Sequence, residues 1–110
     1  MGTNRRYPYL GGRLAEERAV REATRSGKLH TLTPDQLRLD STAVTVVPER
    51  VKLWGLAWLR FGDVDVRCTV LVRRWTNDAV GVEVEVDEQV YRCWIWQGAC
   101  QRLRQREDAW

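Results

Sequence analysis

The chain has 110 residues, 44% hydrophobic and 30% charged, with a net charge of +3. That length suits one domain with one modest core, and no apolar run approaches the ~20 residues of a membrane helix. A balance of 18 basic against 15 acidic residues is not the clustered Lys/Arg footprint that a phosphate backbone demands.

The charge is unevenly spread. Residues 1–34 carry seven basic and three acidic residues, and residues 76–97 one basic and five acidic. Residues 1–12, with Asn4-Arg5-Arg6-Tyr7-Pro8-Tyr9 and the Gly11-Gly12 pair, read as a flexible basic arm. Residues 13–40 read as a helical segment. Arg13–Arg25 is rich in helix formers, and Glu17 to Arg21 gives i,i+4 support. Its apolar stripe is only Leu14, Ala15, Ala19, Val20 and Ala23, which implies weak docking. Ser26-Gly27 ends it. Thr33-Pro34-Asp35-Gln36 starts a short helix reaching Leu39: Thr is the N-cap, Pro takes the first helical position, and Gln falls three residues after the cap. Ala43–Val47 predicts a strand ended by Pro48, suited to pair with a sheet edge and close a barrel.

Leu53–Trp96 reads as four strands and three tight turns. A Gly62-Asp63 loop suits a type II′ hairpin. It sets Phe61 against Val64, Leu59 against Val66, Ala57 against Cys68 and Leu53 against Val72, with Arg60 against Asp65 and Trp58 against Arg67 behind. Asp87-Glu88 likewise sets Val84 against Tyr91, Val82 against Cys93 and Val80 against Ile95, with Glu83 against Arg92 behind. In the middle turn, a two-residue Asn77-Asp78 loop puts Val72 opposite Glu83. A three-residue loop, Thr76-Asn77-Asp78, puts Val72 opposite Val82 and Val70 opposite Val84. Side chains alternate with period two, so only the odd loop keeps one face apolar. The β-branched enrichment suits strands.

After Trp96, Gln97-Gly98 breaks the strand, Ala99–Gln105 reads as a helical turn, and residues 106–110 as a frayed tail. The expected fold is mainly β with an N-terminal helix (α+β). An antiparallel four- to five-stranded meander within residues 43–105 curls into a small SH3-like barrel, because long twisted strands coil.

The second face of this sheet is unusual. Trp54, Trp58, Trp75, Trp94 and Trp96 project there with Arg60, Arg67, Arg73 and Arg92. In the expected register Arg73 faces Gly81, which faces Trp94, and Trp75, Ala79 and Trp96 form the next row. One reading buries this face under the N-terminal helix or the Thr33–Leu39 turn, as a sheet apolar on both sides usually requires. The other leaves tryptophan and arginine exposed as a partner site, since both are enriched at binding hot spots.

Catalytic chemistry finds little footing. The only histidine, His30, lies in a loop without a nucleophile at fixed spacing. Cys68, Cys93 and Cys100 contain no C-x-x-C, so a zinc site lacks its ligand spacing. Three cysteines without a leader point to free thiols in a reducing cytoplasm. No phosphate-binding glycine loop is present. No catalytic residue, metal or cofactor is expected.

At Arg73-Arg74-Trp75-Thr76 followed by Ala79-Val80-Gly81-Val82, and at Tyr91-Arg92-Cys93-Trp94-Ile95-Trp96 with Gly98-Ala99, the chain resembles small uncharacterised proteins encoded by actinobacterial bacteriophages. Those often pair a W-T-x-x-A-V-x-V segment with a closing W-x-W-x-x-A segment. The likeness covers about half of the chain and leaves out the N-terminal third. It implies a viral origin, a small β-barrel and the cytoplasm of an infected host, and it carries no activity or site residues. Two function classes follow. The first is a non-catalytic module that binds a host or phage protein through Trp54, Trp58, Arg67, Arg73, Trp75, Arg92, Trp94 and Trp96. The second is a nucleic-acid-binding barrel that holds phosphates with Arg5, Arg6, Arg13, Arg102, Arg104 and Arg106 while tryptophans stack bases. Glu83 and Glu85 on the same sheet face oppose a nucleic-acid strand, which places that class second.

Overall fold

The computed structural model describes residues 8–110, with side chains from residue 11 onward. Arg5, Arg6 and the rest of residues 1–7 of the expected arm lie outside the described residues. Residues 8–12 belong to helix α1 (Pro8–Thr24) and not to an arm. Gly12 has a reason to be small: a Cβ there would sit 3.0 Å from the Trp110 Cβ. The short helix α2 (Pro34–Leu37) is capped as expected, with the Thr33 hydroxyl accepting from the Gln36 amide and the Gln36 side chain accepting from the Thr33 amide. It stops at Arg38 in a left-handed conformation, before Leu39.

The strands are β1 (Thr45–Val46), β2 (Leu53–Phe61), β3 (Val64–Trp75), β4 (Ala79–Val86), β5 (Gln89–Trp96) and β6 (Cys100–Arg102). The β2–β3 hairpin keeps the expected register along its whole length, from Phe61 opposite Val64 to Leu53 opposite Val72. Gly62 takes the positive φ of 58° that its turn requires. A Cβ at Gly62 would collide with the Ser26 carbonyl, so this turn seats directly on the end of α1. The β4–β5 hairpin also holds its register. Asp87 and Glu88 have φ of 49° and 69°, the paired left-handed residues of a type I′ turn.

The middle hairpin reaches its register by a different route. Val72 does face Val82, but Trp75 faces Val80 and Arg74 faces Gly81, with an irregularity between Val72 and Arg74. The Thr76 amide donates to the Ala79 carbonyl at 2.9 Å, which makes the turn the two-residue Asn77-Asp78 loop. The Thr76 hydroxyl accepts from the Asp78 and Ala79 amides and fixes that loop. The odd residue needed to keep Val72 inward is a β-bulge at Arg73. Val70 does not pair with Val84, because the β3–β4 ladder ends at Leu71 and Glu83.

Beyond that point β3 and β4 splay, and α1 fills the opening. The Glu16 carboxylate accepts from the Thr69 amide at 2.8 Å and from its hydroxyl at 3.0 Å, supplying the acceptor that β4 no longer offers. Val20 and Ala23 join the core formed by Phe61, Cys68, Val70 and Val82. Arg21 pairs with Asp87 of the β4–β5 turn rather than with Glu17, whose partner is Arg13. The helix therefore packs Val20 and Ala23 into the core side of the sheet, while its Glu16 end reaches the outward Thr69. Of the other face, Leu56 and Thr69 are buried whereas Trp58 and Trp96 stay exposed.

Among the described residues the sheet is open, in the order β5-β4-β3-β2-β6. β1 does not close it. It pairs with the far end of β3, Thr45 opposite Trp75, in line with β2. The expected helical turn after Trp96 is a 3₁₀ turn at Gln97–Ala99, followed by β6, which returns to β2 with Ala57 opposite Cys100 and Gly55 opposite Arg102. The linker before α2 touches both edges. The His30 amide donates to the Arg60 carbonyl of β2, and the Leu32 amide donates to the Trp94 carbonyl of β5. The last residues are not a frayed tail. Arg106–Ala109 forms a second 3₁₀ turn that sets the partly buried Trp110 against Gly12. Among the described residues no helix is long and apolar enough to cross a membrane.

Candidate functional site

The bulge at Arg73 decides which side chains share the outer face. Past it the alternation is inverted, so Trp75 points to the core beside Val80 instead of outward. Arg74, not Arg73, faces Gly81. The Arg73 guanidinium instead holds the loop after β1, donating to the Val51 carbonyl at 3.1 Å and the Pro48 carbonyl at 3.5 Å. The row at the turn is Thr76, Ala79 and Trp96 in place of Trp75, Ala79 and Trp96.

The remaining outward residues divide into separate places because the sheet curls. Trp58, 54% exposed, stands beside exposed Arg67 at the β2–β3 end. Trp96, 46% exposed, stands on β5 at the opposite end of the sheet. Trp54 is half-buried under Arg106, whose guanidinium carbon lies 4.8 Å from the ring centroid and 5.8 Å from that of Trp110. This cation–π contact orders the C-terminal turn, although Arg106 Nε and Trp110 Nε1 find no acceptor there.

One groove gathers most of the expected row. Its cavity is about 610 Å³, bounded by β1 and its following loop on one side and by Thr31 and β5 on the other. Gly81 forms the floor. A Cβ there would sit 3.4 Å from the Trp94 ring and 3.5 Å from the Arg74 Cβ, so the missing side chain lets the indole lie close to the strand. Both polar groups of the Trp94 backbone are tied to the linker at residues 31–32, its amide donating to the Thr31 hydroxyl at 2.9 Å and its carbonyl accepting from the Leu32 amide. Arg92 pairs with Glu83 across the hairpin at 2.9 Å. Arg73, Arg74 and Arg92 face Glu49 and Glu83 around the ring, so the groove carries both signs of charge on a preorganised aromatic anchor.

The basic residues also separate. Arg13 is committed to Glu17 and Arg106 to the Trp54 and Trp110 rings. Arg102 and Arg104 remain together with Lys52 around a smaller cavity of about 450 Å³ beside Trp54. Lys52 had no place in the sequence reading. Its proximity follows from β6 pairing with β2, which no local pattern encodes.

The three thiols offer little nucleophilic chemistry. Burial pushes Cys93 up to about 11 and raises Cys68 further. Cys100 is raised by the same cause and is only partly buried. Among the described residues no cluster of His, Cys, Asp and Glu has the arrangement of a metal site. Comparison with known protein families, curated proteins and solved structures finds no match to the chain.

Proposed function

We propose that this protein is a non-catalytic interaction module that grips a protein partner in the groove over Gly81, with Trp94 as its anchor. The observation that carries the reading is the indole lying over a glycine floor beside Arg74, with its backbone amide and carbonyl both tied to the linker at residues 31–32. A rigid aromatic flanked by arginine is the usual composition of a hot spot. Charges of both signs around it favour a polypeptide over a phosphate backbone. The fold is proposed as a small SH3-like barrel. Its support is a curled meander whose last short strand returns to the first, with the linker at residues 30–32 hydrogen-bonded to both β2 and β5. The resemblance to phage proteins makes a host protein in the bacterial cytoplasm the proposed partner.

Nucleic acid is the second reading, favoured by Lys52, Arg102 and Arg104 beside Trp54. The test is a paired measurement on Trp94→Ala and Arg74→Ala, using a partner recovered from nuclease-treated host lysate. Both variants should melt within a few degrees of the wild type, and Trp94→Ala should weaken partner binding by about 2 kcal/mol or more. Wild-type affinity for that partner in Trp94→Ala would refute the groove. Capture from untreated lysate that is lost on nuclease treatment and falls steeply with salt would move the function to nucleic acid.

A further inference from the structure

The core is sealed at one end and open at the other. At the sealed end Phe61 meets Tyr91 edge-on at 5.6 Å, and Leu29 bridges Phe61. At the other end Leu53, Val72, Trp75 and Val80 converge on a cavity of about 300 Å³ that no side chain fills. The Arg73 bulge turns Trp75 into this space. Gly55 shapes it too: a Cβ there would sit 2.8 Å from Cys100 Sγ and 3.3 Å from Val72 Cγ2.

The polar residues stand at the mouth. Gln97 is held in place, its side-chain amide donating to the Thr76 carbonyl at 2.9 Å and its backbone amide to the Asp78 carbonyl. Arg102 faces Gly55 in the ladder, and paired residues share a face, so its side chain leaves on the core side of the sheet. Among the described residues Arg102 forms no ion pair. Lys52 and Arg104 lie beside it and Leu53 lines both cavities, so the apolar opening sits next to a cationic cluster without a carboxylate in its lining.

We propose that this cavity is a binding site for a small apolar acid, whose hydrocarbon body occupies the space between Trp75 and Val80 and whose carboxylate meets Arg102. The volume is about twice the ~150 Å³ that accepts benzene in an apolar cavity, which suits two fused rings or a medium-length acyl chain. Mostly apolar walls with a few convergent polar groups are the general form of a small-ligand site. The site is separate from the Trp94 groove, so a variant in one leaves the other intact.

The probe is 2-naphthoate, with uncharged 2-naphthamide as its isostere. Cys100 lines the cavity and reports occupancy, because it is the least buried of the three thiols. In the full chain, saturating 2-naphthoate should slow alkylation of Cys100 by N-ethylmaleimide at least fivefold. Binding measured by calorimetry should weaken at least tenfold in Arg102→Gln and for 2-naphthamide. Arg102→Gln alone should leave the unprotected alkylation rate unchanged, since the thiol environment is otherwise preserved. Absence of protection at millimolar 2-naphthoate overturns the proposal, as does equal affinity for acid and amide. Should Arg102→Gln fail to fold, the acid-to-amide ratio in the wild type decides by itself.

Discussion

Glu16 shows how one side chain replaces a missing strand contact. Burial raises its carboxyl above the ordinary range, and the two hydrogen bonds from Thr69 only partly oppose this. The folded chain therefore takes up the proton more readily than the unfolded one. Stability from this group is greatest at acidic pH, and it declines as pH rises from the ordinary carboxylate value through the raised folded value. Glu16→Gln keeps an acceptor for Thr69 and removes the charge, so it should flatten that decline. Glu16→Ala leaves a buried amide and hydroxyl unpaired and should cost about 1–3 kcal/mol. Urea midpoints measured from mildly acidic to neutral pH check both, and parallel curves for wild type and Glu16→Gln would contradict the assignment.

At the scale of an element, strand β3 carries the decisive irregularity. Arg73 is the extra residue, and the ladder is in register on both sides of it, Val72 with Val82 and Arg74 with Gly81. Deleting Arg73 should therefore leave a regular hairpin with every core residue still inward. The loss is its side chain's bonds to the Val51 and Pro48 carbonyls and its carbonyl's bond from the Val47 amide, about 2–4 kcal/mol together. Deleting Leu71 should be far worse, because the bulge can absorb the gap only by putting Arg73 where Val72 was. Thermal melts of the two deletions decide the matter. An unfolded Arg73 deletion beside a cooperative Leu71 deletion would mean that the strand does not depend on this parity.

Across the whole molecule, one core joins sheet and helix. Val70 is fully buried at its centre, and Val20 and Ala23 of α1 reach the same cluster. Val70→Asp should unfold the domain, since an unpaired buried charge costs several kcal/mol against a total near 5–15. A cooperative melt near the wild-type temperature would show that Val70 is dispensable. The C-terminal turn contributes to the same unit: Arg106 stacks on Trp54 and Trp110 packs on Gly12, so the two ends of the described chain meet.

Much of this fold was legible in the residues alone. The Gly62-Asp63 and Asp87-Glu88 hairpins, the Thr33 cap and nearly all of the inner face follow from turn chemistry and period two, which act between near neighbours. The candidate site was legible only in part. Gly81 beneath Trp94 was readable because it is a strand glycine opposite a large ring, but its arginine neighbour was misassigned by one residue. A bulge and a longer loop satisfy the same alternation, and the Thr76 hydroxyl selects the short turn through contacts that spacing does not reveal. The helix in the opening between β3 and β4, the return of β6 to β2 and the cavity at Trp75 depend on contacts distant in sequence. Their free energy exists only once the sheet has curled, so tertiary structure decided them.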